Sequence, residues 1–258
     1  MPAIDPSRLE RQIQDILQRS DEPLEFSREC TDLYKFYGDR TKRTIDVHDD
    51  HRVLNVPRPV VRQLSTAIEK TEFDDEEAWR NIAASLWDYQ YREVRRLAAV
   101  VLGSHARLEV LTMAETWAMQ CDDVQVLIGI ASAGLRSYRA QVPLALFEAI
   151  DGWLSSNNSP LRHLGLQALL VVLEEGEGEH IPTILITLRG SSDRVRGESW
   201  KTFRLLFEEL AVRSPPETTR FLLDEIDGGS KGTERLVRTL LDSFPEAHKN
   251  RLQNAIEN

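Results

Sequence analysis

Apolar positions along the chain recur at helical spacing. Leu9, Ile13, Ile16 and Leu17 share one face of a helix over 7–20, and Leu33, Tyr34, Phe36 and Tyr37 mark a second, shorter one. Residues 38–55 are polar and read as a loop. Pro57 and Pro59 suit a helix start ahead of Val60, Val61, Leu64 and Ile68. Asp74 or Asp75 is placed to cap a helix carrying Ala78, Trp79, Ile82, Ala83, Leu86 and Trp87, whose partner covers roughly 90–102. Helix pairs then repeat: 107–119 with 123–138, 143–154 with 160–173, 180–188 with 193–211, and 216–225 with 233–243. Gly103, Pro143, Asn157 to Pro160, Gly176 to Gly178, Pro215-Pro216 and Gly228-Gly229 punctuate the pairs with turn chemistry. No segment alternates with period two for the length of a sheet strand.

Four of these segments resemble one another. Val94-Arg-Arg-Leu-Ala-Ala-Val-Val-Leu102, Ile128 to Leu135, Leu161-Arg-His-Leu-Gly-Leu-Gln-Ala-Leu-Leu170 and Val195-Arg-Gly-Glu-Ser-Trp-Lys-Thr-Phe-Arg204 begin 34, 33 and 34 positions apart. A near-constant period of this size indicates stacked supersecondary units. Small residues at Ala98, Ala131, Gly165 and Ser199 let neighbouring helices approach. The pattern looks like HEAT, because the tetratricopeptide and ankyrin signatures are missing. The expected fold is all-α, a right-handed α-solenoid of HEAT-like repeats forming an ARM-repeat-like superhelix with a concave inner surface. Residues 51–258 would form one continuous solenoid, with residues 1–50 a helical arm and loop packed on it.

Composition narrows the function. A hydrophobic content of 41% and a charged content of 29% are those of a folded, soluble protein. No apolar stretch approaches the roughly 20 residues that cross a bilayer, and Met1-Pro-Ala-Ile-Asp-Pro6 does not read as a signal peptide, so no membrane and a cytoplasmic location are expected. Cys30 and Cys121 read as two ordinary thiols. A net charge of −10 excludes a surface made throughout for nucleic acid, since phosphate binding is driven by Lys and Arg. It leaves room for a local groove: Arg189, Arg194, Arg196, Lys201 and Arg204 face only Asp193 and Glu198 in that stretch.

Most candidate chemical motifs read as ordinary structure. His48-Asp-Asp-His51 has the residue types of a metal cluster without further ligands in register, so no metal and no cofactor are expected. Gly228 to Thr233 has the composition of a phosphate loop without its order or a preceding strand. Glu174 to Glu179 is an acidic turn. His105, His163, His180 and His248 have no nucleophile motif beside them, so no hydrolase triad is visible. Trp79 and Trp87 fit core packing. Trp117 precedes Asp122 and Asp123, and Trp200 stands among Arg196, Lys201 and Arg204, where either a core or a groove position is open.

The order of these features over residues 33–225 resembles the AlkD-like DNA alkylation repair proteins, bacterial glycosylases built from HEAT-like repeats. The resemblance rests on Tyr37-Gly-Asp39, Leu54-Asn-Val-Pro-Arg-Pro-Val-Val-Arg62, Leu86-Trp-Asp-Tyr-Gln-Tyr-Arg-Glu-Val-Arg95, Thr116-Trp117 through Asp122, Trp153 to His163, and Val195 to Arg204. It implies that Asp122 matches the family's catalytic aspartate, Trp117 the first tryptophan of its double-tryptophan motif, and Arg162 the arginine of its Trp-x-Arg-Arg segment, with His163 at the second basic position. Trp200 matches the tryptophan of Lys-x-x-Gly-Trp-x-x-Arg, and Arg194, Arg196, Lys201 and Arg204 supply cations around it. Three positions depart from the pattern: Ala118 replaces the second tryptophan, Met119 the intermediate aspartate, and Pro160 the tryptophan before Arg162.

The family chemistry is hydrolysis of the N-glycosidic bond of cationic N3- or N7-alkylated purines, which implies double-stranded DNA carrying such bases as the partner. A cationic base needs little protonation to leave, while the sugar gains oxocarbenium character that a carboxylate can stabilise. The alternative, favoured by the acidic balance and the three departures, is a non-catalytic HEAT-like scaffold that binds a protein or peptide. The polar last repeat, with Arg235, Arg238, Lys249 and Arg251, is expected to cap a monomer.

Overall fold

The computed structural model describes residues 4–39, 52–71, 73, 76–176 and 178–257, and every described segment of regular structure is helical. The His48–His51 cluster, Asp74 and Asp75 lie outside the described residues. The chain packs as two compact units, residues 1–117 with 121–141 and residues 118–120 with 142–258. Each is a stack of antiparallel helix pairs, the HEAT-like solenoid arrangement.

The first unit contains α1 (Pro6–Leu17), α2 (Pro23–Tyr37), α3 (Arg58–Glu69), α4 (Glu76–Trp87), α5 (Arg92–Leu102), α6 (Leu108–Met119, through Trp117), α7 (Val124–Gly129), a π turn over Ile130–Gly134, and α8 (Arg136–Gln141). Asp5 caps α1 by accepting from the Ser7 and Arg8 amides. Helix α1 packs on α2 and α3, so the N-terminal helices belong to the same core as the repeats. Helix α4 pairs with α5, α2 stacks on α4, and α3, α5 and α7 form the facing layer. Leu9, Phe26, Leu64, Trp79, Leu86 and Leu97 are among the side chains closed in their centre.

The second unit contains α9 (Pro143–Ser155), α10 (Ser159–Glu175), α11 (Ile181–Thr187), α12 (Gly197–Arg213), α13 (Pro215–Asp227), α14 (Lys231–Leu240), a 3-10 turn over Leu241–Ser243, and α15 (Glu246–Glu257). Its two layers follow alternate helices: α9, α11, α13 and α15 stack in one, α10, α12 and α14 in the other. A row of aromatics, Phe203, Phe207 and Phe221, with centroids 5.0 and 5.7 Å apart, ties α12 to α13. The small residues predicted to admit close helix approach are indeed buried: Ala98 and Ala131 in the first unit, Gly165 and Ser199 in the second.

The helices depart from the periodicity at three places. The segment expected as one helix over 123–138 is broken by the π turn. There the Leu135 amide donates to the Ile130 carbonyl five residues back at 3.0 Å, and Gly103 lies against the Ala133 carbonyl, where any Cβ would overlap it. The helix expected from 193 starts at Gly197, whose φ of 59° bends the chain; residues 191–195 form a turn closed by the Arg194 and Val195 amides on the Ser191 carbonyl. Helix α15, which the apolar pattern does not predict, buries Leu252 and otherwise presents mostly polar residues.

Candidate nucleic-acid interface

Trp117, near the end of α6, is 4% exposed and stacks flat on Trp87 of α4, with centroids 4.4 Å apart and planes 1° from parallel. The Arg95 guanidinium covers Trp87, 4.7 Å from its centroid, while Arg95 Nε donates to the Trp87 carbonyl at 3.3 Å. Trp117 is therefore part of a packed aromatic-cation stack rather than an open platform. Ala118, where the family pattern has a second tryptophan, is fully buried, and Met119 is 48% exposed.

The chain then turns from α6 into α7 through Cys121, Asp122 and Asp123. Burial raises the Cys121 thiol above its ordinary range, so it stays protonated and unreactive near neutrality. Asp123 caps α7: its Oδ1 accepts from the Gln125 amide at 2.8 Å and the Val126 amide at 3.4 Å. Its Oδ2 accepts from Arg92 Nε at 2.5 Å, and only 1% of the Asp123 side chain reaches solvent. This residue received no role from the sequence, although an Asp directly before Val-Gln-Val is a helix-start signal. It fixes the turn, and so fixes the neighbouring Asp122, whose side chain is exposed.

In the second unit Arg162 sits in the first turn of α10, half-buried, with Nη1 donating to the Ser156 carbonyl at 2.6 Å. Its Nε is buried without a partner among the described residues. His163 is buried inside the α10–α12 packing rather than on the surface expected of a nucleic-acid contact. The Gln167 amide nitrogen lies 3.3 Å from His163 Nε2 and donates to Thr202 Oγ1 at 2.8 Å. Burial lowers the His163 pKa, so its ring is neutral at pH 7 and is no phosphate clamp.

Arg194 and Arg196 are exposed on the turn before α12, and Asp193 anchors that turn by accepting from the Gly232 amide at 2.7 Å. Trp200 is half-buried beneath the Arg235 guanidinium of α14, which lies 3.8 Å from its centroid. The core-or-groove question thus resolves to a stacked side chain at the rim of the α12–α14 packing. Lys201 and Arg204 are exposed, paired at 2.6 Å with Glu198 and Glu208 of their own helix. Such surface pairs hold weakly and exchange readily for other anions. The Gly228–Thr233 segment is the turn after α13 and the first residues of α14, where Ser230 accepts from the Thr233 amide at 3.1 Å as the α14 cap. Among the described residues no group of three or more His, Cys, Asp or Glu could hold a metal ion, and no helix is long and apolar enough to cross a membrane.

Residues 37–196, more than half of the chain, match the family model described as DNA alkylation repair enzyme. The chain belongs to the DNA alkylation repair enzyme family. Comparison with curated proteins and with solved structures returned no match. The matched span contains Trp117, Asp122, Arg162, His163, Arg194 and Arg196, whereas Trp200, Lys201 and Arg204 lie beyond it. Membership in the DNA alkylation repair enzyme family agrees with the all-helical repeat fold. The Arg92–Asp123 bond also falls within the span, beside the candidate carboxylate.

Proposed function

We propose that this protein binds double-stranded DNA and excises cationic N3- or N7-alkylated purines by hydrolysis of the N-glycosidic bond, with Asp122 as the carboxylate that meets the positive charge developing on the sugar. The observation that carries this reading is the exposed Asp122 on a turn fixed by the buried Asp123 cap and its bond to Arg92. A carboxylate held in place before the reaction stabilises an oxocarbenium-like transition state without having to reorganise. The alkylated base leaves as a neutral molecule, so general-acid help is not required, and water completes the sugar product. Arg162, Arg194 and Arg196, with Lys201 and Arg204, would hold backbone phosphates, which position DNA without reading sequence. Trp117 and His163 would act from within, as packing that sets the shape of the surface above them.

A second reading has its own observation. Ala118 is fully buried and Met119 exposed where the family pattern places an aromatic ring and a carboxylate, which favours a non-catalytic scaffold for a protein or peptide. Base release decides between the two. Methylated duplex DNA incubated with the wild-type protein is expected to release free 3-methyladenine and 7-methylguanine, and Asp122→Asn is expected to lose release while keeping DNA affinity.

A further inference from the structure

In the first unit, a cleft of roughly 650 Å³ opens where the chain segment before α3 crosses α5 and α7. Its floor is built by backbone locking. Arg52 and Tyr91 form a parallel bridge, with the Arg52 amide donating to the Gln90 carbonyl at 3.1 Å and the Arg92 amide to the Arg52 carbonyl at 3.0 Å. Glu93 then accepts from the Leu54 amide at 3.0 Å and the Asn55 amide at 2.8 Å, where Asn55 adopts a φ of 52°. Both carboxylate oxygens of Glu93 are thereby occupied by the backbone, and Arg92 is bonded to Asp123.

The charged side chains lining the cleft are Arg58, Arg62, Arg92 and Arg96, against the single carboxylate of Glu93. Arg58, Arg62 and Arg96 are exposed, and none of these three forms an ion pair with a described residue. Arg58 and Arg62 stand one turn apart on α3, about 6 Å along its axis. Arg96 lies across α7 at Gly129, where an added Cβ would sit 3.2 Å from Arg96 Cγ. In a chain with 42 acidic residues against 32 basic ones, four arginines against one glutamate leave, among the described residues lining this cleft, a local excess of positive charge. Gln125, three residues after Asp122, lines the same cleft, and the Asp123–Arg92 bond borders it.

We infer that this cleft is a binding site for the sugar-phosphate backbone of duplex DNA, with Arg58, Arg62 and Arg96 neutralising successive phosphates and leading the strand to the turn that carries Asp122. The inference rests on the DNA-binding reading above and adds a site that this reading did not contain. Guanidinium groups exposed on two elements, rather than closed around one point, suit an extended polyanion more than a single phosphate ion.

The test is fluorescence anisotropy with a labelled unmodified duplex, repeated over a salt series, on wild type, Arg58→Gln/Arg62→Gln, Arg96→Gln and the control Arg28→Gln, which lies outside the cleft. Thermal melts confirm that each variant folds. Removing one phosphate-neutralising cation lowers the slope of log affinity against log salt by about 0.9. The double variant is expected to lose about 1.8 from the slope, twice that amount, and to bind at least tenfold more weakly at low salt. Arg96→Gln should lose about half as much, with the control matching wild type. Wild-type binding with all three variants behaving alike would overturn the cleft and leave the DNA reading standing. Absence of wild-type binding would overturn both.

Discussion

The α6–α7 turn and the stretch from Arg194 to Arg204 carry candidate residues in opposite states of commitment. Around the α6–α7 turn, side chains are bound into partners: Trp117 on Trp87, Arg95 over Trp87, Asp123 on both the α7 amides and Arg92. In the second unit the cations at Arg194, Lys201 and Arg204 stand in solvent, and their ion pairs, where present, are with neighbours on the same helix. The difference separates two physical tasks. A group that must meet charge developing at one atom gains from being fixed beforehand, whereas a phosphate contact tolerates a mobile cation. Asp122 is exposed like the cations, yet it inherits rigidity from the residue beside it.

Substitutions can undo that contrast, and the largest effect is expected at the stack. Trp117→Ala removes a buried indole and leaves a cavity against Trp87, which should cost about 4 kcal/mol in urea unfolding. A loss below about 1 kcal/mol would mean that the stack is not part of the core. Asp123→Ala removes a helix cap and its buried bond to Arg92, so about 3 kcal/mol is expected. Base release should fall with it even under conditions where the variant is folded, because the turn that positions Asp122 loosens. Unchanged release from the folded variant would separate Asp123 from the site.

The smallest expected effect concerns His163. Burial depresses its pKa below the ordinary 6.5, so the unfolded chain takes up a proton more readily than the folded one as pH falls through that value. Stability should therefore be fully present above about pH 6.5 and decline on acidification, and His163→Gln should flatten that decline below about pH 6.5. Equal slopes in the two proteins would show that His163 does not contribute.

Much of the architecture was legible because a helix that buries one face must repeat its apolar positions, and Leu86, Trp87, Leu97 and Ala98 do so plainly. Helix α15 was not, since Leu252 alone is fully closed off and the rest of the helix lacks a clear apolar stripe. The π turn was invisible for another reason: it lies where Gly103 comes against the Ala133 carbonyl, a contact between residues 30 apart that no local pattern encodes. Within the site, residue type pointed to Asp122 and the arginines, but direction did not follow from it. One residue of helix rotates a side chain by about 100°, enough to put His163 inside and Arg162 at the rim. Arg58, Arg62 and Arg96 were not read as one group because they come together only through the packing of α3 on α5, helices separated in sequence.

Whether Asp122 is the reacting carboxylate of a DNA alkylpurine glycosylase is decided by free 3-methyladenine and 7-methylguanine, measured after methylated duplex DNA is incubated with wild type or with Asp122→Asn. Release by the wild type and none by the variant, at similar DNA affinity, is the expected outcome. Equal release from both proteins, or none from the wild type, would remove Asp122 from that role.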